Sequence, residues 1–288
     1  MLNPIYWQFP ESLWPPINPT EYLERVRVGY DIMRGSSVTI CGLARNLGNK
    51  VKYLHGRLDC LASLFNEVSI CIYTNDNDDS TLSELECMKA RMYNYGGIKV
   101  NIISERLYKE FHGSVTTQER YKDMAYYRNH YLTYLRYETD SKYLIVLDTD
   151  IIGGYSWDGL AHSFSYIDSS IGCIGSNSLI YENRESGPIR LYYDALAFRR
   201  LNSTKPHNQS EINLLCYNRG ETLLEVQSAF GGLAIYNVEP IRKFNLNYDH
   251  SDCDHVTLNK KLVELGYRNY MNPSMIVLYS DSLYSRKS

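Results

Sequence analysis

The sequence predicts an α/β fold, a mostly parallel central sheet flanked by helices. Two observations carry this. Short apolar runs of strand length alternate with longer segments of helical period, and the alternation is sustained from Val38 to Asp148. A chain of 288 residues is also long enough to bury the core that such a sheet needs.

The elements follow in order. Residues 1–35 hold five of the nine prolines plus Trp7 and Trp14, the composition of an extended arm packed by its aromatics. Residues 36–288 are expected to form one domain. Val38 to Leu43 reads as a buried strand, Val51 to Phe65 as a helix, Val68 to Tyr73 as a strand and Leu82 to Tyr95 as a helix. Ile98 to Ile103 is a third strand, Glu119 to Tyr137 a long helix, and Tyr143 to Leu147 a short apolar strand ending at Asp148. In the second half, Ile171 to Ile174 and Ala229 to Tyr236 are strand candidates. Between them lies a polar stretch, Leu201 to Arg219, expected to be a mobile loop that covers substrate. A helix from Asp252 to Leu265, capped by Ser251, precedes a last strand from Tyr267 to Leu278.

Composition narrows the function classes. With 30 Lys+Arg against 33 Asp+Glu and no basic tract, nucleic acid is not expected as a partner. The 27 tyrosines against 7 phenylalanines supply aromatic surface with a hydroxyl for sugars or water. The seven cysteines are scattered, with no C-x-x-C pair, and read as reduced thiols. No apolar run is long enough to span a membrane and the first residues lack the pattern of a secretory signal, so a cytoplasmic protein is expected.

The sharpest motif is YLIVLDTD, residues 143–150. In an open α/β sheet, ligands bind beyond the carboxyl ends of the strands, where Asp148 and Asp150 would project into a crevice. Two carboxylates there suit Mn²⁺ or Mg²⁺, which bridges phosphates and neutralises charge on a departing nucleotide. Such triplets are also common on plain loops. The turn YTNDNDDST places Asp76 and Asp79 before a helix, as contacts to ribose or base or, equally, as ordinary turn and cap residues. VTICGLARN sets small residues and Arg45 after the first strand, where a guanidinium can pair with phosphate or stack on a base. ERYKDMAYYRNHYL carries Arg128, a second candidate for the diphosphate or else part of a solvated face. Gly231 and Gly232 interrupt a strand-like run, either for close approach of a ligand or for a bulge. In SDCDHVTL, His255 is a possible nitrogen ligand to the metal, and Asp252 or Asp254 a possible general base. A plain acidic first turn is the alternative.

Six of these segments, VTICGLARN, SICIYTNDNDDST, ERYKDMAYYRNHYL, YLIVLDTDI, AFGGLAIY and SDCDHVTL, occur in an order that resembles the fungal capsular α-mannosyltransferases of glycosyltransferase family 69 and their microbial or viral relatives. The resemblance implies a GT-A, Rossmann-like domain and a metal-dependent glycosyltransferase. The resemblance also implies a nucleotide-sugar donor; that this is a UDP- or GDP-sugar, and the acceptor a hydroxyl of a glycan or glycoconjugate, is the expectation set beside it and not carried over from the family. It implies a divalent metal at Asp148 and Asp150, and favours retention of anomeric configuration. A sugar-phosphate nucleotidyltransferase and a non-catalytic nucleotide- or carbohydrate-binding protein are the alternatives.

Overall fold

The computed structural model describes residues 9–112, 116–184, 187–203 and 209–280. In chain order these form α1 (Pro19–Arg34), β1 (Ser37–Ala44), α2 (Val51–Ala62), β2 (Glu67–Asn75), α3 (Thr81–Gly96), β3 (Lys99–Glu105), α4 (Gln118–Glu138) and β4 (Tyr143–Leu147). Then follow β5 (Gly154–Tyr155), α5 (Trp157–Phe164), β6 (Ile171–Arg184), β7 (Gly187–Tyr192), β8 (Arg199–Arg200) and α6 (Gln209–Asn213). The last are β9 (Leu224–Ser228), β10 (Leu233–Asn237), α7 (Val238–Lys243), α8 (Asp254–Glu264) and β11 (Arg268–Ser280). The fold class is α/β, with a mostly parallel central sheet flanked by helices, as the alternation predicts. Two compact units share the chain.

One unit comprises Arg34–Asp150 and Ile235–Leu258. Its strands run in the order β3-β2-β1-β4, all parallel, with the end of β10 beyond β4. The register pairs Ala44 with Thr74 and Asn75 with Glu105, so the carboxyl ends of β1, β2 and β3 meet at one edge. Their apolar residues are covered from both faces, which is why β4 is buried at all five positions and reads as a continuous apolar run. The strand order reverses between β1 and β4, because β1, β2 and β3 step one way and β4 returns to the other side of β1. α4 starts one residue earlier than its pattern predicts, because Thr117 caps it by accepting from the Arg120 amide.

The other unit comprises 1–33, 151–234 and 259–288. Here β6 and β11 pair in parallel, β9 and β5 run antiparallel to β11, and β7 folds back on β6. The prolines near the N-terminus predict an extended arm, but Pro19–Arg34 is helix. Proline is tolerated in a first turn, where its missing N–H loses no bond, and Tyr22, Val26, Gly29 and Met33 recur at helical spacing and are buried. Phe9 and Trp14 pack with Leu179, Ile276 and Leu278 of this unit, and Trp7 lies outside the described residues. Two further elements differ from expectation. Ala229–Gly232 is a turn between β9 and β10 instead of the start of one strand. The polar stretch holds the short helix α6 and ends on the buried Arg219, whose guanidinium bonds to Glu11 and Ser156; Pro206, His207 and Asn208 lie outside the described residues.

Candidate active site

Asp148 follows β4 at the point where the strand order reverses. Burial alternates across the triplet: Asp148 is half-buried, Thr149 buried and Asp150 exposed. The Thr149 hydroxyl donates to the Leu43 carbonyl at 2.6 Å, which ties the triplet to β1. Gly42 makes room for it. A methyl group there would lie 2.7 Å from Thr149 Cγ2 and 3.0 Å from the Leu147 oxygen. The small residue after the first strand therefore serves the packing of the acidic triplet.

Arg128, on α4, is the centre of a buried cluster. Its Nε donates to Asp254, its Nη1 lies 3.3 Å from the Tyr131 hydroxyl, and its Nη2 lies 3.9 Å from Asp148 Oδ1. Tyr131 in turn donates to the Tyr248 hydroxyl at 2.9 Å. Burial pushes the Asp254 carboxyl up, but the adjacent Arg128 charge reverses this and holds it at about 2. A carboxylate so placed is a weak base and has no open face. Asp254 is thus corrected from candidate general base to the counter-ion of Arg128. The helix it opens starts two residues later than predicted, and Ser251 does not cap it, because the Ser251 hydroxyl donates to Asp249 at 2.6 Å. Asp252 is half-buried, and its Oδ1 accepts from the Cys253 amide.

His255 is buried beside this cluster, with Nδ1 3.2 Å from the Tyr236 hydroxyl and Nε2 3.9 Å from Asp254. Burial, and then the Arg128 charge, lower its pKa and keep the ring neutral. Among the described residues no group of three or more His, Cys, Asp or Glu side chains is placed to hold a metal ion. Two carboxylates remain, one half-buried and one exposed. A hard dication that keeps waters and takes phosphate oxygens asks for no more than one or two protein carboxylates, and this donor set fits it.

The two turns after β1 and β2 interlock. Asn46 N donates to Asn77 Oδ1 and Asp78 N to Asn46 Oδ1, both at 3.0 Å. The Leu47 and Gly48 amides both donate to Thr81 Oγ1, at 2.7 and 2.8 Å. Amides that would cradle a phosphate in a nucleotidyltransferase loop are here consumed by side chains. Asp79 accepts from the Thr81 amide at 2.9 Å, while Ser80, the N-cap of α3, makes no side-chain capping bond. Asp76 accepts from the amides of Leu107, Tyr108 and Lys109 at 2.8, 2.9 and 3.1 Å, and also from Asn75. Burial is the largest single influence and raises its pKa, but the bonds from Lys109, Asn75, Tyr108 and Leu107 together bring it below the usual carboxylate range. Arg45 donates to the carbonyls of Lys109 and Glu110. Asp76 and Arg45 thus hold the segment after β3.

Gly231 and Gly232 lie in the other unit. Both have positive φ, 66° and 81°, which the tight turn requires. A side chain at Gly231 would meet the Ser176 oxygen at 2.5 Å, so a neighbouring strand, β6, occupies the space expected for a ligand. Asp194, which no sequence pattern singles out, accepts from the Gly231 amide at 2.9 Å. Its partner is 37 residues away, which is why local spacing is silent about it.

No protein-family model matches the chain, and no curated protein resembles it in sequence. Solved structures do. A mannosyltransferase from Pyrobaculum calidifontis, in complex with GDP-Man and Mn²⁺, superposes with a TM-score of 0.53 at 12% identity, over 93% of this chain and 67% of that one. S. aureus TarS 1–349 matches with a TM-score of 0.43 and 14% identity, over 85% of this chain and 58% of that one. Glucosyl-3-phosphoglycerate synthase from Mycobacterium tuberculosis, in complex with Mn²⁺, UDP and glucosyl-3-phosphoglycerate, matches with a TM-score of 0.43 and 10% identity, over 88% of this chain and 72% of that one. This chain therefore spans less than two thirds of the TarS fragment. At 12% identity the likeness to the mannosyltransferase is one of fold, the GT-A fold.

Proposed function

We propose that this chain is a metal-dependent glycosyltransferase that moves a sugar from a UDP- or GDP-sugar to a hydroxyl of a glycan or glycoconjugate. The observation that carries the reading is the placement of Asp148-Thr149-Asp150 at the reversal of strand order, with its first carboxylate beside a buried arginine. The fold shared with a mannosyltransferase that binds GDP-Man and Mn²⁺ supports it, as does the likeness of six segments to family 69. Residues 36–288 would form the catalytic part.

Asp148 and Asp150 would hold Mn²⁺ or Mg²⁺, which when bound offsets the charge that grows on the departing diphosphate. Thr149 fixes the backbone between them through Leu43, so that the carboxylates need no rearrangement to bind. Arg128 orients Asp148 from one side while Asp254 balances the buried charge. With Asp254 so committed, Asp252 is the one remaining candidate base of the two. Retention of configuration, which needs no base on the acceptor face, is the outcome we propose. Among the described residues no helix is long and apolar enough to cross a membrane.

Asp150→Asn tests the reading. Asp150 is exposed, so its loss should leave the melting temperature within about 1 °C, as for surface substitutions generally, while sugar transfer or donor hydrolysis falls by at least about a hundredfold. Full activity in this variant would refute the assignment.

A further inference from the structure

β3 ends the strand order of its unit, so one of its two edges has no neighbour among the described residues. The strand, KVNIISE, pairs with β2 in continuous register with no bulge. It carries no proline, and its only charges are its first and last residues, Lys99 and Glu105. Edge strands are ordinarily blunted by shortness, proline, a bulge or a charge in mid-strand, because an open edge is a template for another strand. β3 has none of these devices. Its faces are also only partly covered. α4 packs on β1 and β2, and Asn101, Ile102 and Ile103 of β3 are half-buried. Between α3 and β3 lies a shallow cavity of about 260 Å³, lined in part by Lys89, Tyr93 and Val100, and Tyr93 is 68% exposed.

The backbone fixes what this open edge offers. The Asp76 amide donates to the Glu105 carbonyl at 3.2 Å, so the polar groups of Glu105 point towards β2. Those groups alternate along a strand, so Val100, Ile102 and Ser104 turn their N–H and C=O outward. Lys99 and Glu105 share the α4 face. The Lys99 ammonium lies 5.7 Å from the Tyr134 ring, and Glu105 accepts from the Tyr126 hydroxyl at 3.3 Å.

Charge selects the occupant. A second copy laid antiparallel about Ile102 sets Ile102 against Ile102, Val100 against Ser104, and Lys99 against Glu105 at both ends. The outward residues of the two copies then meet as hydrogen-bonded pairs, and the opposite charges meet as the closer kind of pair on one face. A slip of two residues sets Lys99 against Ile103 or Leu107, and a slip of one sets outward groups against inward ones. One register satisfies both charge and backbone.

We propose that the outer edge of β3 is the contact surface for a second copy of this chain, which pairs with it antiparallel about Ile102 and continues the sheet across a two-fold axis. Sedimentation of the full chain over a range of concentrations tests this. The unaltered protein should approach twice the 33.4 kDa mass of one chain as concentration rises. Ser104→Pro removes an outward N–H from an exposed residue and takes no bond from β2. The dimer loses two bonds, so association should weaken at least about tenfold. Lys99→Glu sets glutamates against each other at both ends and should abolish the dimer, and Glu105→Lys should do the same with lysines. Mixed in equal amounts, these two variants should associate again, because each end then joins a glutamate to a lysine. Glu105→Lys also gives up the Tyr73 and Tyr126 bonds, and should it not fold, Ser104→Pro and Lys99→Glu decide alone. A monomer at every concentration leaves this edge to some other partner and overturns the proposal. So does a dimer that Ser104→Pro and Lys99→Glu leave intact, or a mixture of folded variants that stays monomeric.

Discussion

Gly42 shows how a single missing side chain shapes the acidic triplet. Its neighbours leave no room for a methyl group, with Thr149 Cγ2 at 2.7 Å and the Leu147 oxygen at 3.0 Å from the position a Cβ would take. Both belong to the β4 end, so any substitution pushes on the backbone that carries Asp148. Gly42→Ala should cost about 1–3 kcal/mol, the usual penalty of overpacking a close-packed interior, and should weaken metal and nucleotide binding together. A urea titration measures the first and calorimetry the second. An unchanged midpoint would show that the triplet is not tied to β1 in this way. Thr81 illustrates a related point: the first residue of α3, it also accepts the Leu47 and Gly48 amides with its hydroxyl.

Between elements, the decisive contact joins α4 to α8 through Arg128 and Asp254. Breaking a buried ion pair from one side leaves the other charge uncompensated. Asp254→Asn should therefore destabilise the protein by about 3 kcal/mol, whereas Arg128→Met combined with Asp254→Leu recovers most of that loss. The sign with pH follows from the depressed carboxyl. The unfolded carboxyl takes up its proton near 3.8, while in the folded chain it stays ionised to about 2. The stabilisation is present above pH 4 and is lost as pH falls through that window, so the acid limb of the stability curve should be shallower in Asp254→Asn. Equal acid limbs would count against the pair. Much of the element pattern was legible in the sequence. β4 spans Tyr143–Leu147 as predicted, because a strand buried on both faces reads as an unbroken apolar run. The N-terminal helix α1 was hidden behind its prolines, β9 was not read as a strand, and β10 was read as starting at Ala229 because the glycine turn before it is flanked by apolar residues on both sides. The roles of Asp76 and Arg45 were not legible at all. Their partners lie 31 to 33 and 64 to 65 residues further along the chain, and acidic turn residues look alike whether they bind a ligand or a backbone.

At the scale of the whole molecule, the alternation of strands and helices specifies the fold class, and the parallel order brings four strand ends to bear on one edge. Similar architectures host many reactions, so the function is argued from the carboxylates and their surroundings. The central claim is that Asp148 and Asp150 bind a cation beneath a nucleotide diphosphate. Melting of the full chain with GDP, UDP and their sugars, with and without Mn²⁺, tests this directly, because a ligand that binds only the folded state raises its stability by an amount that grows with the logarithm of its concentration over its Kd. The account predicts a rise in melting temperature for at least one nucleotide that requires Mn²⁺ and vanishes in Asp150→Asn. A rise of equal size without Mn²⁺ or in that variant, or no rise with any nucleotide, would contradict it.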